Sequence, residues 1–254
     1  MIMLSLILFI LIVLLLLQPV NILSATTENI RKSIALTDFD VSSLGYSISS
    51  KPFNTSYSDW TAKWWQWAYS IPWSEHPSYD NTGKFCSENQ KGPVWYLSNS
   101  FEYPVVRTCE MPSGTALLIA LLNSECSFAE FPTLKTEREL RNCAESMQDI
   151  VDGGHAFLNE ENISSLIEYR VQTEIFNFTL PQNNILNLTS QTTQAVADGN
   201  WLFLKPLPPG THKLEIKGDI NSTALKSPAQ LSKVDQYSGP VGWNQTTTYI
   251  LKVK

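Results

Sequence analysis

Basic charge is scarce in this chain and gathers nowhere. Lys and Arg number 18 against 24 Asp and Glu, a net charge of -6, so there is no electrostatic footprint for nucleic acid and that partner class is excluded. Histidine is scarcer still. His76, His155 and His212 are the only three, and their separation rules out His-x-His and His-Glu-x-x-His zinc sites. A Gly-x-Ser-x-Gly nucleophile elbow and a Gly-rich phosphate loop are both missing. The four cysteines never form a Cys-x-x-Cys pair, which removes zinc ribbons and thioredoxin-type redox sites.

What is present points out of the cytoplasm. Residues 1–17 are almost wholly apolar, Gln18-Pro19 ends the run, and a small residue stands at Ala25. Residues 1–25 therefore read as a secretory signal peptide. No Lys or Arg precedes the run, and it is long enough for residues 1–23 to stay in the bilayer as an N-terminal anchor if cleavage does not occur. Cys86, Cys109, Cys126 and Cys143 form an even set, as a disulfide framework would. Three connectivities are open to them. The sequential one, Cys86 with Cys109 and Cys126 with Cys143, is preferred because each pair flanks neighbouring elements and closes a loop of about 20 residues. Asn-x-Ser/Thr acceptors at Asn54, Asn162, Asn177, Asn187, Asn221 and Asn244 fit a glycoprotein surface. The expected location is extracellular or on the cell surface.

Residues 26–55 are rich in Ser, Thr and Asn, with scattered apolar positions, and read as a lead-in segment. Residues 56–254 are expected to form one domain. Ser56-Tyr-Ser-Asp59 has the form of a capping box, and Trp60, Trp64 and Trp67 recur along one helical face. Pro72 ends that helix. Thr136-Glu-Arg-Glu139 opens a second helix, with Leu140, Cys143, Ala144 and Met147 on one face and Gly153-Gly154 as its stop. Val94-Trp-Tyr-Leu97 reads as a buried strand, and residues 116–122, apolar on both faces, as a central one. Cys109-Glu-Met-Pro-Ser-Gly114 reads as a turn. Beyond Gly154 the expected strands are residues 169–178, 201–204, 212–217 and 247–253, separated by turns that include Asp198-Gly-Asn200. The pattern predicts a mainly β fold: an antiparallel, jelly-roll-like β-sandwich with two helices, stabilised by disulfides.

Trp64-Trp-Gln-Trp67, Asp80-x-Thr-Gly83, Cys86, Gln90-x-Gly-Pro-Val-Trp95, Arg107-x-Cys109, Asp198-Gly199 with Trp201, and Pro206-Leu-x-Pro-Gly-x-His212 occur in that order. Together they resemble a group of secreted bacterial and archaeal proteins of uncharacterised function, over about residues 58 to 218. The resemblance implies an extracytoplasmic protein and supplies neither catalytic residues nor a substrate.

The expected site lies at the end of the tryptophan helix. Trp60, Trp64 and Trp67 share the face that should be buried, whereas Trp65 and Trp73 lie off it and could stack on a sugar ring. Glu75, His76 and Asp80 fall together in a stretch of turn composition that ends at Gly83. Such a loop could hold calcium, bind a carbohydrate, or bring Asp80 together with Glu75 or His76 for acid–base hydrolysis. It could equally be a turn whose Asp and Asn bond their own backbone. The functional expectation is a non-enzymatic binding module for carbohydrate or an envelope partner. A secreted hydrolase and a structural envelope protein are the alternatives.

Overall fold

The computed structural model describes residues 43–100, 104–149, 151, 153–163, 168–219 and 244–254. The signal or anchor segment, most of the lead-in and Asn221 lie outside the described residues.

Helix α1, Tyr57–Tyr69, begins where the Ser56 hydroxyl accepts the Asp59 amide at 3.1 Å, and it has ended three residues before Pro72. Trp60, Trp64 and Trp67 all lie on its buried face. Each indole N–H finds a carbonyl on a different segment: Pro52 at 2.9 Å, Leu97 at 3.0 Å and Glu88 at 2.8 Å. The three rings thus bury a large apolar area with no polar penalty.

That face lies on the first of two sheets. Its order is β1 (Val94–Leu97), β3 (Ala116–Ser127), β8 (Gln191–Leu204) and β6 (Glu168–Gln172), and β7 (Phe176–Leu180) also pairs with β8. The second sheet runs β2 (Val105–Met111), β10 (Asn244–Val253), β9 (Gly210–Asp219), β4 (Gly153–Leu158) and β5 (Glu161–Asn162). The sheets approach closely where Gly154 and Gly218 meet Leu121 and Leu122, since a Cβ on either glycine would overlap the leucine side chain. Helix α2, Glu137–Gln148, opens with the full Thr136/Glu139 capping box. It packs Leu140, Cys143 and Ala144 with Cys126 and Val196, on the face of β3 and β8 turned away from α1.

Among the described residues, the mainly β fold with two α-helices, two sheets and two disulfides matches the expectation. The bridges join Cys86 to Cys109 and Cys126 to Cys143, with Cα separations of 5.9 and 6.0 Å, and they indicate an oxidising compartment. No helix among the described residues is long and apolar enough to cross a membrane.

Local expectations need correction at five points. The sheets are antiparallel except at two edges, where β1 pairs with β3 and β2 with β10 in parallel. The turn expected at 109–114 begins only after Met111, because β2 stays in register with β10 from Val105 to Met111. Gly153 and Gly154 do not stop α2, which ends at Gln148; they open β4. Asp198-Gly-Asn200 is no turn but the middle of β8, where Asp198 is held by Arg170 from β6 at 2.8 Å. The strand expected at 169–178 is broken into β6 and β7, with Thr173 between them bonded to Ala197 through both its backbone and its hydroxyl.

Of the lead-in, the part from residue 43 packs at a few points. Leu44 is buried, and Tyr46 and Leu44 make backbone bonds to Phe203 and Lys205 at the end of β8.

Candidate functional site

The loop after α1 is built from two 3₁₀ turns, Trp73–Glu75 and Pro77–Tyr79. It is tied at one end to the 181–188 turn, since the Trp73 amide donates to the Asn183 carbonyl at 2.8 Å and Pro72 bridges to Asn184. At the other end it docks on β2. The Thr108 amide donates to Thr82 at 3.0 Å, and Gly83, at φ +92°, lies so close that a Cβ would overlap the Thr108 backbone. Glycine is required there on both counts. The Cys86–Cys109 bridge closes the same junction.

His76 is buried under this loop. Its Nε2 lies 3.1 Å from the Ala68 carbonyl, and its Nδ1 accepts the Ser78 amide at 3.1 Å. These partners fix the tautomer with the proton on Nε2. Burial lowers the ring's pKa to about 4; the bond to Ala68 opposes the shift and the nearby Arg107 charge adds to it. Asp80 caps its own turn. Oδ1 accepts the Thr82 amide at 2.9 Å and the Thr82 hydroxyl at 2.7 Å, and Oδ2 accepts the Phe85 amide at 2.8 Å. Burial acts to raise the carboxyl pKa, but the bonds from Phe85, Thr82 and Gly83 outweigh it and hold the group below its ordinary value. Glu75 points to solvent.

Arg107 is the hub that sequence reasoning passed over, having met it only within a motif. It is 1% exposed. Nε donates to the Asp80 carbonyl at 2.5 Å, and Nη1 donates to the Ser98 carbonyl at 3.2 Å and the Tyr249 hydroxyl at 2.8 Å. The Tyr249 hydroxyl in turn donates to Ser98 at 2.6 Å. One guanidinium thereby joins the loop, the end of β1 and β10. A signal existed: in period-2 register Arg107 falls with Cys109 and Met111 on the inward face of β2.

The two off-face tryptophans part company. Trp65 is half-buried, its ring 5.1 Å from Trp64 and 5.3 Å from Tyr69. Trp73 is 57% exposed, its ring 5.8 Å from that of Tyr79. His76 and Asp80 are therefore engaged within the loop itself, and Trp73 stands out into solvent beside Tyr79. No group of three or more His, Cys, Asp and Glu among the described residues is placed to hold a metal ion. Asn54, Asn162, Asn177 and Asn187 are exposed; Asn221 and the Asn244 side chain are outside the described residues. A groove lined by Phe157, Glu160, Lys213 and Glu215 lies on the second sheet and contains none of the expected site residues.

No protein-family model and no curated protein matches the chain. Among solved structures, that of PbICP-C in complex with falcipain-2 aligns with 64% of this chain and 100% of its own, at 12% identity and a TM-score of 0.24. A likeness that slight carries no argument about fold or function.

The His76 geometry sets a pH dependence. Its folded pKa of about 4 lies below the ordinary 6.5, so between those values the unfolded chain takes up a proton that the folded ring refuses. Stability is fully present above about 6.5 and is lost as pH falls toward 4, by up to about 3 kcal/mol. Urea midpoints at pH 7 and 4.5 should show this acid limb in the wild type and a shallower one in His76→Gln. Parallel limbs would show that His76 does not set it.

Proposed function

We propose that this is an extracytoplasmic, non-enzymatic binding module that takes a carbohydrate of the cell envelope on the Trp73 surface. The observation that carries the reading is the exposed Trp73 indole, held beside Tyr79 by a loop fastened at both ends. A flat apolar ring of this size exposed to water, on backbone that needs little ordering, suits stacking against a sugar face. Export is supported by the two disulfides, and the exposed acceptors Asn54, Asn162, Asn177 and Asn187 fit a glycosylated surface. The non-enzymatic part rests on what His76 and Asp80 do. Their polar atoms are engaged with Ala68, Ser78, Thr82 and Phe85, which leaves the hydrolase alternative little to work with.

A glycan array probed with the disulfide-bonded protein, with and without calcium, tests the reading. Binding is expected for the wild type. Trp73→Ala should weaken it at least about tenfold while shifting stability by no more than about 0.5 kcal/mol, because the side chain is largely outside the core. Calcium dependence would add a cation to the site, and a blank array in both conditions would remove the carbohydrate reading.

A further inference from the structure

Arg107 carries a positive charge into the interior with no carboxylate hydrogen-bonded to it. It is 1% exposed, and a guanidinium does not give up its proton in a protein. Three of its five N–H groups are used, all on neutral acceptors: the Asp80 carbonyl, the Ser98 carbonyl and the Tyr249 hydroxyl. The Tyr249 ring centroid stands 5.5 Å from Cζ, which adds an aromatic neighbour and no counter-charge. Asp80 is the acid in contact with the guanidinium, but it offers its backbone, and both carboxylate oxygens are bonded to Thr82 and Phe85. Arg107 takes part in none of the ion pairs found among the described residues. A charge buried in this way is costly until a counter-charge reaches it.

Nη2 is the point at which a counter-charge can be received. It is buried and has no acceptor. The Ser98 side chain belongs to the same junction, because the Ser98 carbonyl takes both Arg107 Nη1 and the Tyr249 hydroxyl. Ser98 is itself 1% exposed, and its own hydroxyl is buried without a partner. Asn99 Oδ1 is an unpartnered acceptor one residue on, but it reaches neither donor, and its amide nitrogen is turned to the Leu121 carbonyl of β3. The junction therefore holds one net positive charge and unmatched donors from two side chains.

We propose that Arg107 Nη2 and the Ser98 hydroxyl bind a small monovalent anion of the halide class. The unmatched groups are donors beside a cation, which excludes a metal ion as the occupant. The charge to be met is a single one, which favours a monovalent anion over a phosphate or sulfate. Both side chains are almost wholly buried, so the ion is small and binds without its hydration shell. It acts on the Trp73 loop, because the guanidinium it neutralises is the group that ties Asp80 to β10 and the end of β1.

Urea unfolding of the disulfide-bonded protein, with sodium gluconate replaced stepwise by sodium chloride or bromide at constant ionic strength, tests the site. No glycan is present, so failure here leaves the carbohydrate reading standing and failure of that reading leaves the anion site standing. The midpoint should rise with halide and saturate, as binding to the folded state requires, and exchange of the Thr82 and Phe85 amides should slow over the same range. Crystals soaked in bromide should show an anomalous peak within hydrogen-bond distance of Arg107 Nη2 and Ser98 Oγ. Ser98→Ala keeps the carbonyl that Arg107 uses and should weaken the apparent halide affinity about tenfold. Arg107→Gln, where it folds, should abolish the response. A non-saturating response equal in the wild type and Ser98→Ala is general salt action and overturns the proposal. A saturable response unchanged in Ser98→Ala does the same, since it sets the ion elsewhere, as does water at Nη2 in a bromide-soaked crystal.

Discussion

Trp64→Ala should destabilise the domain by about 4 kcal/mol and Trp64→Phe by roughly half that. Trp64 is 6% exposed and stands at the centre of the aromatic cluster, with ring centroids 5.1 Å from Trp65, 5.6 Å from Trp67 and 5.4 Å from Trp201. Truncation to alanine removes all three ring contacts and opens a cavity between α1 and the sheet that rigid neighbours cannot fill. It also removes the indole donor from the Leu97 carbonyl at the end of β1, and a buried acceptor left unmatched adds about 1 to 3 kcal/mol of penalty in its own right. Phenylalanine restores most of the ring area and none of the hydrogen bond, so the difference between the two variants isolates the ring's share, and the loss in Trp64→Phe is mainly that of the unmatched acceptor. For a domain of ordinary stability, about 5 to 15 kcal/mol, the alanine change removes a large fraction of the total. Urea unfolding followed by tryptophan fluorescence measures both. A loss below about 1.5 kcal/mol for Trp64→Ala would mean that α1 is not the cover of this core. Trp201→Ala opens the same space from the strand side, so the double variant should lose less than the sum of the singles.

The parts of this fold that were legible in the sequence are those decided within a few residues. Ser56 and Thr136 cap their helices through bonds to residues three positions on, which is a local pattern. Trp60, Trp64 and Trp67 line up by helical period alone, and the sequential cysteine pairs follow from short spans. What could not be read depends on partners far along the chain. The parallel pairing of β2 with β10 joins residues more than 140 positions apart, and nothing in Val105–Met111 announces it. Asp198-Gly199 has the composition of a turn, yet the ion pair with Arg170 and the partner strands on both sides keep it extended.

Trp65 shows the same limit at the level of one side chain. Its position off the main helical stripe suggests exposure if α1 lies on a flat sheet. Instead α1 lies between two clusters, and the side carrying Trp65 and Tyr69 is covered by Phe176, Phe178 and Ala197 from β7 and β8. The bonds from Thr82 and Phe85 to Asp80 are those of the self-bonding turn that the sequence offered as one reading, whereas His76 takes its partners from the backbone of Ala68 and Ser78, which has no sequence signature. Glu125 offered the clearest overlooked sign. A carboxylate between a long apolar run and Cys126 has no solvent to face in a central strand, and the interior supplies it with the Tyr69 hydroxyl.

Removing the Cys86–Cys109 bridge by a double alanine substitution should lower stability by about 3 kcal/mol, the chain-entropy value for its span, and should also loosen the Trp73 loop. The bridge has a sequence separation of 23 and the Cys126–Cys143 bridge one of 17, so entropy alone predicts nearly equal losses for the two. Their surroundings differ. Cys109 lies on β2 two residues from Arg107 and one from Thr108, the residues that hold Asp80 and Thr82, whereas Cys143 lies on the buried face of α2, against Cys126 of β3 and Val196 of β8. With Cys86 untethered, the bonds Arg107–Asp80 and Thr108–Thr82 must hold residues 73–86 against the sheet alone. Hydrogen exchange in that loop should therefore rise in the Cys86→Ala/Cys109→Ala variant and stay near wild type in Cys126→Ala/Cys143→Ala, although the urea midpoints of the two fall by similar amounts. Equal exchange in the loop for both variants would show that the Arg107 hub suffices to hold it, and that the first bridge acts on the unfolded chain alone.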